Sequence, residues 1–204
     1  MQPATSFAQL TLSDFLAQTA AKTPAPGGGA VAAAIGALAA ALAQMVVAYS
    51  LGKKNLAEHQ PHLESAAARL EKARFLLLTM ADEDAAAYGL VNELSRLPEG
   101  DPRRVRLAEA QEVSVQIPLA AAAVGLDLLR LFDQLSTRSN RHLRSDLAIA
   151  AIAAEACVRA SACNVRINLA ALPIDQAAPA AAEVVRMVTE SLALCASVER
   201  ATAA

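Results

Sequence analysis

The stretch AVAAAIGALAAALAQMVVAY, residues 30–49, decides the fold class of this 204-residue chain. It is almost wholly apolar, it follows the glycine triplet (Gly27, Gly28 and Gly29), and Gly52 after it can serve as a helix C-cap. Alanine is the strongest helix former, so the stretch predicts a helix over residues 30–50. Because apolar residues occupy every side of that helix, we expect it to be buried all round.

The same stretch is about long enough to span a bilayer, so a membrane helix is the alternative interpretation. Ala and Gly dominate it and Gln44 interrupts it, which favours a buried core helix. Residues 1–10 are mixed and uncharged, unlike the start of a signal peptide. We therefore expect a soluble, cytoplasmic protein with no membrane partner.

The overall composition favours helices. Hydrophobic residues make up 55% of the chain but aromatic residues only 3%, and Trp is absent. Small side chains must therefore form the core, which suits closely packed helices better than a β sandwich. No break in composition divides the chain. The prediction is an all-α fold, a single-domain bundle of about six helices over residues 1–204.

Several classes of site find no support in the sequence. The formal net charge is −2 and the basic residues are scattered, so we expect no nucleic-acid partner. His59 and His62 have a spacing that could meet a metal, but no third ligand converges on them, and we predict no metal site. Three cysteines in apolar stretches without C-x-x-C spacing indicate reduced, packed thiols, namely Cys157, Cys163 and Cys195.

Capping residues and prolines divide the chain into six expected helices. Ser145 is the expected N-cap of the fifth helix, and Pro118 is expected to kink or break the fourth. The expected helices are residues 12–22, residues 30–50, a third from Pro61 up to a turn at residues 97–102, residues 103–135, residues 145–169, and a sixth starting near Pro179.

One carboxylate on the third helix stands out. At 100° per residue, Asp84 falls within the apolar stripe, near Leu77 and Val91, while Asp82 falls on the opposite side and Glu83 at the stripe's other margin. A carboxylate on a buried face must be paired, protonated or functional, and desolvation would raise its pKa into the range useful for proton transfer. Asp84 is therefore a candidate acid/base, with a purely structural role as the open alternative.

Three other features have both a structural and a functional interpretation. The glycine triplet could let backbone amides at a helix start approach a ligand, or it could simply form a turn. Lys53 and Lys54 follow a helix end, where cations are favourable, yet they could also meet an anionic substrate. For Asp146 the structural interpretation is a first-turn partner of the helix dipole, and a functional role is the open alternative.

Six short motifs occur in a fixed order along the chain. They are Pro26-Gly27-Gly28-Gly29 with Ala32-Ala33, Gly52-Lys53-Lys54, Glu83-Asp84-Ala85 with Tyr88, Ile117-Pro118-Leu119, Ser145-Asp146 and Asn164-Val165-Arg166-Ile167-Asn168. In order and spacing they resemble the cyclodeaminase/methenyltetrahydrofolate cyclohydrolase family, which includes the C-terminal domain of formiminotransferase-cyclodeaminase. The resemblance covers about residues 12–172. Each motif is weak alone, whereas the ordered set is specific.

The resemblance implies a folate one-carbon enzyme. The implied activity is methenyltetrahydrofolate cyclohydrolase, a hydrolase, or formimidoyltetrahydrofolate cyclodeaminase, an ammonia lyase, each working by general acid/base catalysis through a tetrahedral carbon. The implied substrate is a reduced folate, and no cofactor is implied. A formiminotransferase, which is fused to this domain in some members of the family, is implied as a possible separate partner protein. The resemblance also implies a homodimer, which the Ala-rich helices favour because each buries little apolar area.

The resemblance also implies roles for particular residues. Asp84 becomes the acid/base, Asp146 the second carboxylate, and Lys53 a group that orients substrate or shuttles protons. The implied substrate-binding residues are Pro26, Gly27, Gly28, Gly29, Ser145 and Asn168. His142 departs from the family pattern, which often has Asn there, so the choice between the two reactions stays open.

The alternative from another class of protein is a catalytically inactive helical dimer that binds folate or assembles with a partner enzyme. Retention of Asp84, Lys53 and Asp146 argues against it.

Overall fold

The computed structural model describes residues 6–203, and within them the chain is helical with no β-strand. The all-α prediction is confirmed. The six α-helices are α1 (Leu12–Ala20), α2 (Gly28–Ala48), α3 (Gln60–Ser95), α4 (Leu107–Leu135), α5 (Arg144–Asn168) and α6 (Ile174–Thr202). Residues 1–5, on which part of the signal-peptide prediction depends, lie outside the described residues, as does residue 204. The single-domain assignment of residues 1–204 stays a prediction.

Helix α2 lies against α3 and α5 and forms the centre of the apolar core. Its small residues allow the helices to approach closely: a Cβ added at Gly36 would lie 2.7 Å from the Cys157 Sγ. The prediction that α2 is buried all round is wrong, since Leu38 is 63% and Tyr49 62% exposed. The reason is that α3, α4 and α5 cover only the inner side of α2.

The bundle has two ends of different character, because α2 runs antiparallel to both α3 and α5. At the glycine end, defined by the glycine triplet, Gly29 lies against Asp84 of α3 and Gly28 against Asn164 of α5. At the lysine end, defined by the turn of residues 49–54, the Asn140 N–H donates to the Ser50 Oγ over 2.8 Å. The 21 residues of α2 separate the two ends by about 30 Å.

Two of the predicted helix boundaries are wrong, and one of the two outcomes predicted for Pro118 is excluded. Ser145 is not an N-cap but lies inside α5, and the nearby capping side chain is Asn140, whose Oδ1 accepts from the His142 N–H over 3.2 Å. Helix α6 begins at Ile174, so Pro179 lies inside the helix, at its sixth residue, rather than at its start. The proline removes one backbone hydrogen bond there, which a helix of 29 residues can lose. Helix α4 continues through Pro118, so a break there is excluded, whereas a kink at Pro118 stays a prediction.

Three helical segments are long and apolar enough to cross a membrane, namely Gly28–Ala48, Pro102–Leu135 and Arg141–Ala171. About half of the most apolar window in each is buried inside the bundle. Mutual packing therefore accounts for part of their apolar character. Solubility and cytoplasmic location remain predictions.

Candidate active site

A pocket of about 360 Å³ lies at the glycine end, where α2 begins. Helices α3, α4 and α5 and the segment before α2 form its walls. Its lining residues are Pro24, Ala25, Gly27, Gly28, Gly29, Asp84, Ala85, Tyr88, Val91, Ser114, Asn164, Ile167 and Asn168. Among these lining residues Asp84 carries the charge, and none of the others is Lys, Arg or His.

The glycine triplet forms the start of α2 and one wall of the pocket. Gly27 is the N-cap residue and supplies no capping side chain, while Gly28 and Gly29 belong to the first turn. First-turn N–H groups have no partner inside their own helix, and the helix dipole adds partial positive charge there. The pocket wall therefore attracts a negatively charged or strongly polar group.

Asp84 occupies the position next to these amides. Its carboxylate lies so close to the Gly29 Cα that a Cβ at position 29 would overlap all three carboxyl atoms. The Ala30 backbone N–H lies on the same side and favours the charged form of that carboxylate. Glycine at position 29 is therefore a steric requirement for placing Asp84 against the start of α2.

Burial raises the pKa of the Asp84 carboxyl above its ordinary value of 3.8, and the nearby Ala30 backbone N–H opposes that rise without cancelling it. A carboxyl with a raised pKa holds and releases a proton closer to neutral pH than an ordinary aspartate does. Asp84 also compensates the positive end of α2, which is the structural role left open above. The two roles are compatible.

Neutral side chains complete the pocket on the α4 and α5 side. The Asn168 Nδ2 donates to the Ser114 backbone oxygen over 2.7 Å, and the Asn164 Nδ2 donates to the Ala160 backbone oxygen over 3.2 Å. A Cβ at Gly28 would lie 3.3 Å from the Asn164 Oδ1. Both carboxamides are thus held in place by backbone groups, so they present fixed polar atoms to the pocket.

Asn164 and Ser114 are two pocket residues that were not among the predicted site residues. Asn164 could have been found, because it precedes Asn168 by four residues and therefore shares its helix face. Ser114 could not, because it enters the site from α4 through a tertiary contact with no sequence signature.

The predicted site residues divide between the two ends of the bundle. Asp84, Asn168 and the glycine triplet line the pocket, and Pro26 is buried beside it. Lys53, Ser145 and Asp146 lie at the lysine end, and so does His142. Their chain positions put them far from Asp84: the part of α5 between Asp146 and Asn164 is about 27 Å long. A single chain does not bring all the predicted catalytic residues together.

The prediction that Asp82 faces solvent is wrong. Asp82 is half-buried and accepts hydrogen bonds from the Ser6 Oγ at 2.5 Å and the Phe7 N–H at 2.8 Å. The 3-10 turn Phe7–Gln9 covers that side of α3, which helix periodicity alone does not reveal. Asp82 therefore anchors the segment that precedes α1.

The sulfur and imidazole groups lie outside the pocket. Cys157 and Cys195 are buried free thiols, whereas Cys163 is exposed, so the prediction of packed thiols is wrong for Cys163. Burial raises the pKa of Cys157 to about 11, which keeps it protonated. Residues 6–203 contain no group of three His, Cys, Asp or Glu side chains placed to hold a metal ion.

Comparisons with known proteins identify the family. The sequence profile described as Formiminotransferase-cyclodeaminase matches residues 11–187. A methenyltetrahydrofolate cyclohydrolase of Methylorubrum extorquens is 32% identical over 78% of this chain and 78% of its own length. A formimidoyltransferase-cyclodeaminase of Mus musculus is 35% identical over 82% of this chain, which spans only 32% of that relative.

A solved structure agrees with this assignment. The crystal structure of formiminotetrahydrofolate cyclodeaminase from Thermotoga maritima superimposes with a TM-score of 0.89 at 27% identity. The match covers 96% of this chain and 97% of that one. The chain belongs to the formiminotransferase-cyclodeaminase family.

Proposed function

We propose that this chain is an enzyme that acts on tetrahydrofolate carrying a single carbon, as a methenyltetrahydrofolate cyclohydrolase or a formimidoyltetrahydrofolate cyclodeaminase. The observation that carries the proposal is the half-buried Asp84 carboxylate, which lies against the start of α2 and has a raised pKa. Two relatives support it, because one is named a methenyltetrahydrofolate cyclohydrolase and the other a formimidoyltransferase-cyclodeaminase.

Both reactions need one group that takes and returns a proton. In the cyclohydrolase reaction, water attacks the cationic methenyl carbon, Asp84 accepts the proton of that water, and the nitrogen of the breaking C–N bond receives a proton. In the cyclodeaminase reaction, the anilino nitrogen attacks the formimino carbon and Asp84 accepts the proton of that nitrogen. Asp84 then gives the proton to the amino nitrogen, which leaves as ammonia when its bond to the carbon breaks. Each path passes through a tetrahedral carbon, for which one acid/base suffices.

The neutral wall of the pocket has a binding role in this proposal. The fixed carboxamides of Asn164 and Asn168 offer hydrogen bonds to the polar edge of the pterin ring. The first-turn N–H groups of α2 stabilise negative charge that develops on the oxygen of the forming formyl group. Binding and proton transfer are thereby assigned to different residues.

The test is to offer the purified protein both folates. Loss of the methenyltetrahydrofolate chromophore reports the cyclohydrolase reaction, and release of ammonia from formimidoyltetrahydrofolate reports deamination. We expect turnover of at least one substrate. A folded protein that binds both folates and turns over neither would instead be the inactive folate-binding protein, and the proposal would be wrong.

We further propose that neither a metal nor a nucleotide cofactor takes part, because the methenyl carbon is already electrophilic toward water. A cytoplasmic location and a separate formiminotransferase, as the supplier of the formimino substrate, complete the proposal. Co-purification of a formiminotransferase from a host that contains one is the measurement for that partner.

A further inference from the structure

Two large apolar side chains line the pocket at the glycine end without being buried in it. Tyr88 of α3 and Ile167 of α5 both belong to the pocket wall, yet Tyr88 is 51% and Ile167 76% exposed. Side chains that line a pocket and still contact solvent to this extent lie at its mouth rather than on its floor. Covering such apolar surface with a ligand is favourable, because the surface is removed from water.

The two side chains lie at nearly the same height above the floor of the pocket. The floor is the start of α2, against which Asp84 and Asn164 lie. Tyr88 is four residues beyond Asp84 on α3, a rise of about 6 Å. Ile167 is three residues beyond Asn164 on α5, a rise of about 4.5 Å. At these spacings each apolar side chain also shares a helix face with the floor residue of its own helix.

The space at the mouth exists because α2 begins below it. Both α3 and α5 pack against α2, and both continue past its first residue, Gly28. The ends of the two helices therefore leave a gap where α2 no longer fills the space between them. Tyr88 forms one apolar wall of this gap and Ile167 another. A flat apolar group can enter it above Asp84.

The substrate class of the proposed function has a flat apolar group at the matching place. The anilino nitrogen, which forms or breaks its bond to the reacting carbon, is bonded directly to an aromatic ring. When the reacting carbon lies beside Asp84, this ring must therefore lie nearby, at the mouth. The pocket volume of about 360 Å³ is near the lower end of the roughly 300–1,000 Å³ found for drug-sized ligands, so part of a folate extends beyond the floor.

We propose that Tyr88 and Ile167 form a ring clamp, which binds the aromatic ring on the anilino nitrogen and gives the site its preference for folates over free pterins. The inference rests on the proposed function, since a folate supplies the ring. Aromatic rings pair with centroids about 4.5–7 Å apart, which suits Tyr88, and Ile167 adds van der Waals contact. Holding the ring also fixes the anilino nitrogen beside Asp84.

The ring clamp is tested with two ligands that carry no reacting carbon. Tetrahydropteroate has the pterin and the aromatic ring but no glutamate, and 6-methyltetrahydropterin has the pterin without the ring. Anaerobic isothermal titration calorimetry gives the Kd of each ligand for the parent and the variants. The variants are Tyr88→Ala, Tyr88→Phe, Ile167→Ala and, as the control, Ile174→Ala. Ile174 is 87% exposed at the start of α6 and is not among the lining residues of the pocket.

The expected result is a loss of affinity that depends on the ring of the ligand. Tyr88→Ala should weaken tetrahydropteroate binding about 10-fold and Ile167→Ala about 5-fold. The Kd of 6-methyltetrahydropterin should stay at the parental value in both. Tyr88→Phe retains the aromatic ring and should bind both ligands like the parent, as should Ile174→Ala. With a reacting folate, Tyr88→Ala should raise KM more than it lowers kcat.

Three results would overturn the ring clamp. Equal losses of affinity for both ligands would show that these side chains shape the whole pocket rather than bind the ring. Parental binding of tetrahydropteroate by both Tyr88→Ala and Ile167→Ala would place the ring elsewhere. A variant whose mass in light scattering differs from that of the parent would show that the side chain packs against another chain.

Failure of the proposed function gives a different result, because the binding measurements involve no turnover. A parent chain that shows the ring-dependent losses but turns over neither folate would refute the proposed function alone. A chain that turns over a folate, while Tyr88→Ala and Ile167→Ala bind tetrahydropteroate like the parent, would refute the ring clamp alone.

Discussion

The two ends of the bundle are built differently. At the glycine end, a carboxylate is pressed against a helix start and surrounded by neutral groups. At the lysine end, the chain reverses through turns held by hydrogen bonds, such as the Gly52 N–H to the Gln60 Oε1 at 2.8 Å. At the glycine end, the arrangement depends on the absence of a side chain at Gly29. At the lysine end, it depends on hydrogen bonds from backbone N–H groups to side-chain oxygens. Substitutions at the two ends should therefore fail in different ways.

The largest expected effect is at the glycine end. Asp84→Asn keeps the shape of the side chain but removes the group that takes and returns a proton, so we expect turnover to fall about 10²–10⁴-fold. Folate binding and the circular dichroism spectrum should be retained. Glu83→Gln is the matched control, because Glu83 is the exposed neighbour on the same helix. Parental turnover by Asp84→Asn would place the proton transfer elsewhere, with Asp146 as the next candidate.

A glycine substitution at each end sharpens the comparison. Gly29→Ala forces Asp84 away from α2, and a displacement of about 1 Å in a catalytic group can cost about 10²-fold in rate. Gly52 has a positive φ of 72° and open space around it, so Gly52→Ala should cost about 1–2 kcal/mol of stability without a clash. Kinetics and urea denaturation of both variants measure the contrast. Equal rates for Gly29→Ala and the parent would remove the steric argument.

The sequence predicted most of the glycine end because its signals are local. Asp84 interrupts an apolar helix face, and the glycine triplet precedes a long apolar helix, so both features are visible in a short window. Ser114 was not predictable, because α4 brings it to Asn168 through a tertiary contact. The exposed face of α2 was missed for the same reason: composition shows that a helix is apolar, but not how many neighbours cover it.

Asp82 shows the same limit on α3. Periodicity places it opposite the apolar stripe, yet the turn before α1 folds onto that side and makes it a hydrogen-bond acceptor. Likewise, Lys53 and Asp146 were grouped with Asp84 as catalytic residues because the family resemblance implies it, and the resemblance rests on the order of motifs along the chain. That order contains no information about which end of the bundle each motif occupies.

An intermediate effect is expected outside the pocket. Asp82→Ala removes the acceptor of two hydrogen bonds that hold the segment before α1, so unfolding free energy should fall by about 1–3 kcal/mol. Thermal denaturation should show this as a shift of about 2–4 °C per kcal/mol. Glu64→Ala, at an exposed position of α3, is the control and should change stability by less than about 0.5 kcal/mol. An equal stability for both variants would show that the segment is not anchored there.

A smaller effect concerns pH. Because burial raises the pKa of Asp84 in the folded chain, the folded state holds that proton more strongly than the unfolded state does. The resulting stability is fully present below the ordinary pKa of 3.8 and is lost as pH rises through the raised value. Asp84→Asn should therefore gain stability relative to the parent as pH increases towards 7. A gain that is independent of pH would contradict the assignment of the raised pKa to Asp84.

The last experiment is metal chelation, for which we expect no effect. It tests whether the lysine end holds a catalytic metal. Treatment with EDTA should leave turnover unchanged, because the substrate's cationic carbon is electrophilic without a Lewis acid and Asp84 supplies the proton transfer. His59 and His62 lie near the start of α3, towards the lysine end, where the His59 Nε2 is 3.5 Å from a Glu58 carboxylate oxygen. If chelation abolished turnover and zinc or magnesium restored it, a metal at these histidines would become the first site to examine. The glycine end would then provide binding alone, and the division of roles between the two ends would be reversed.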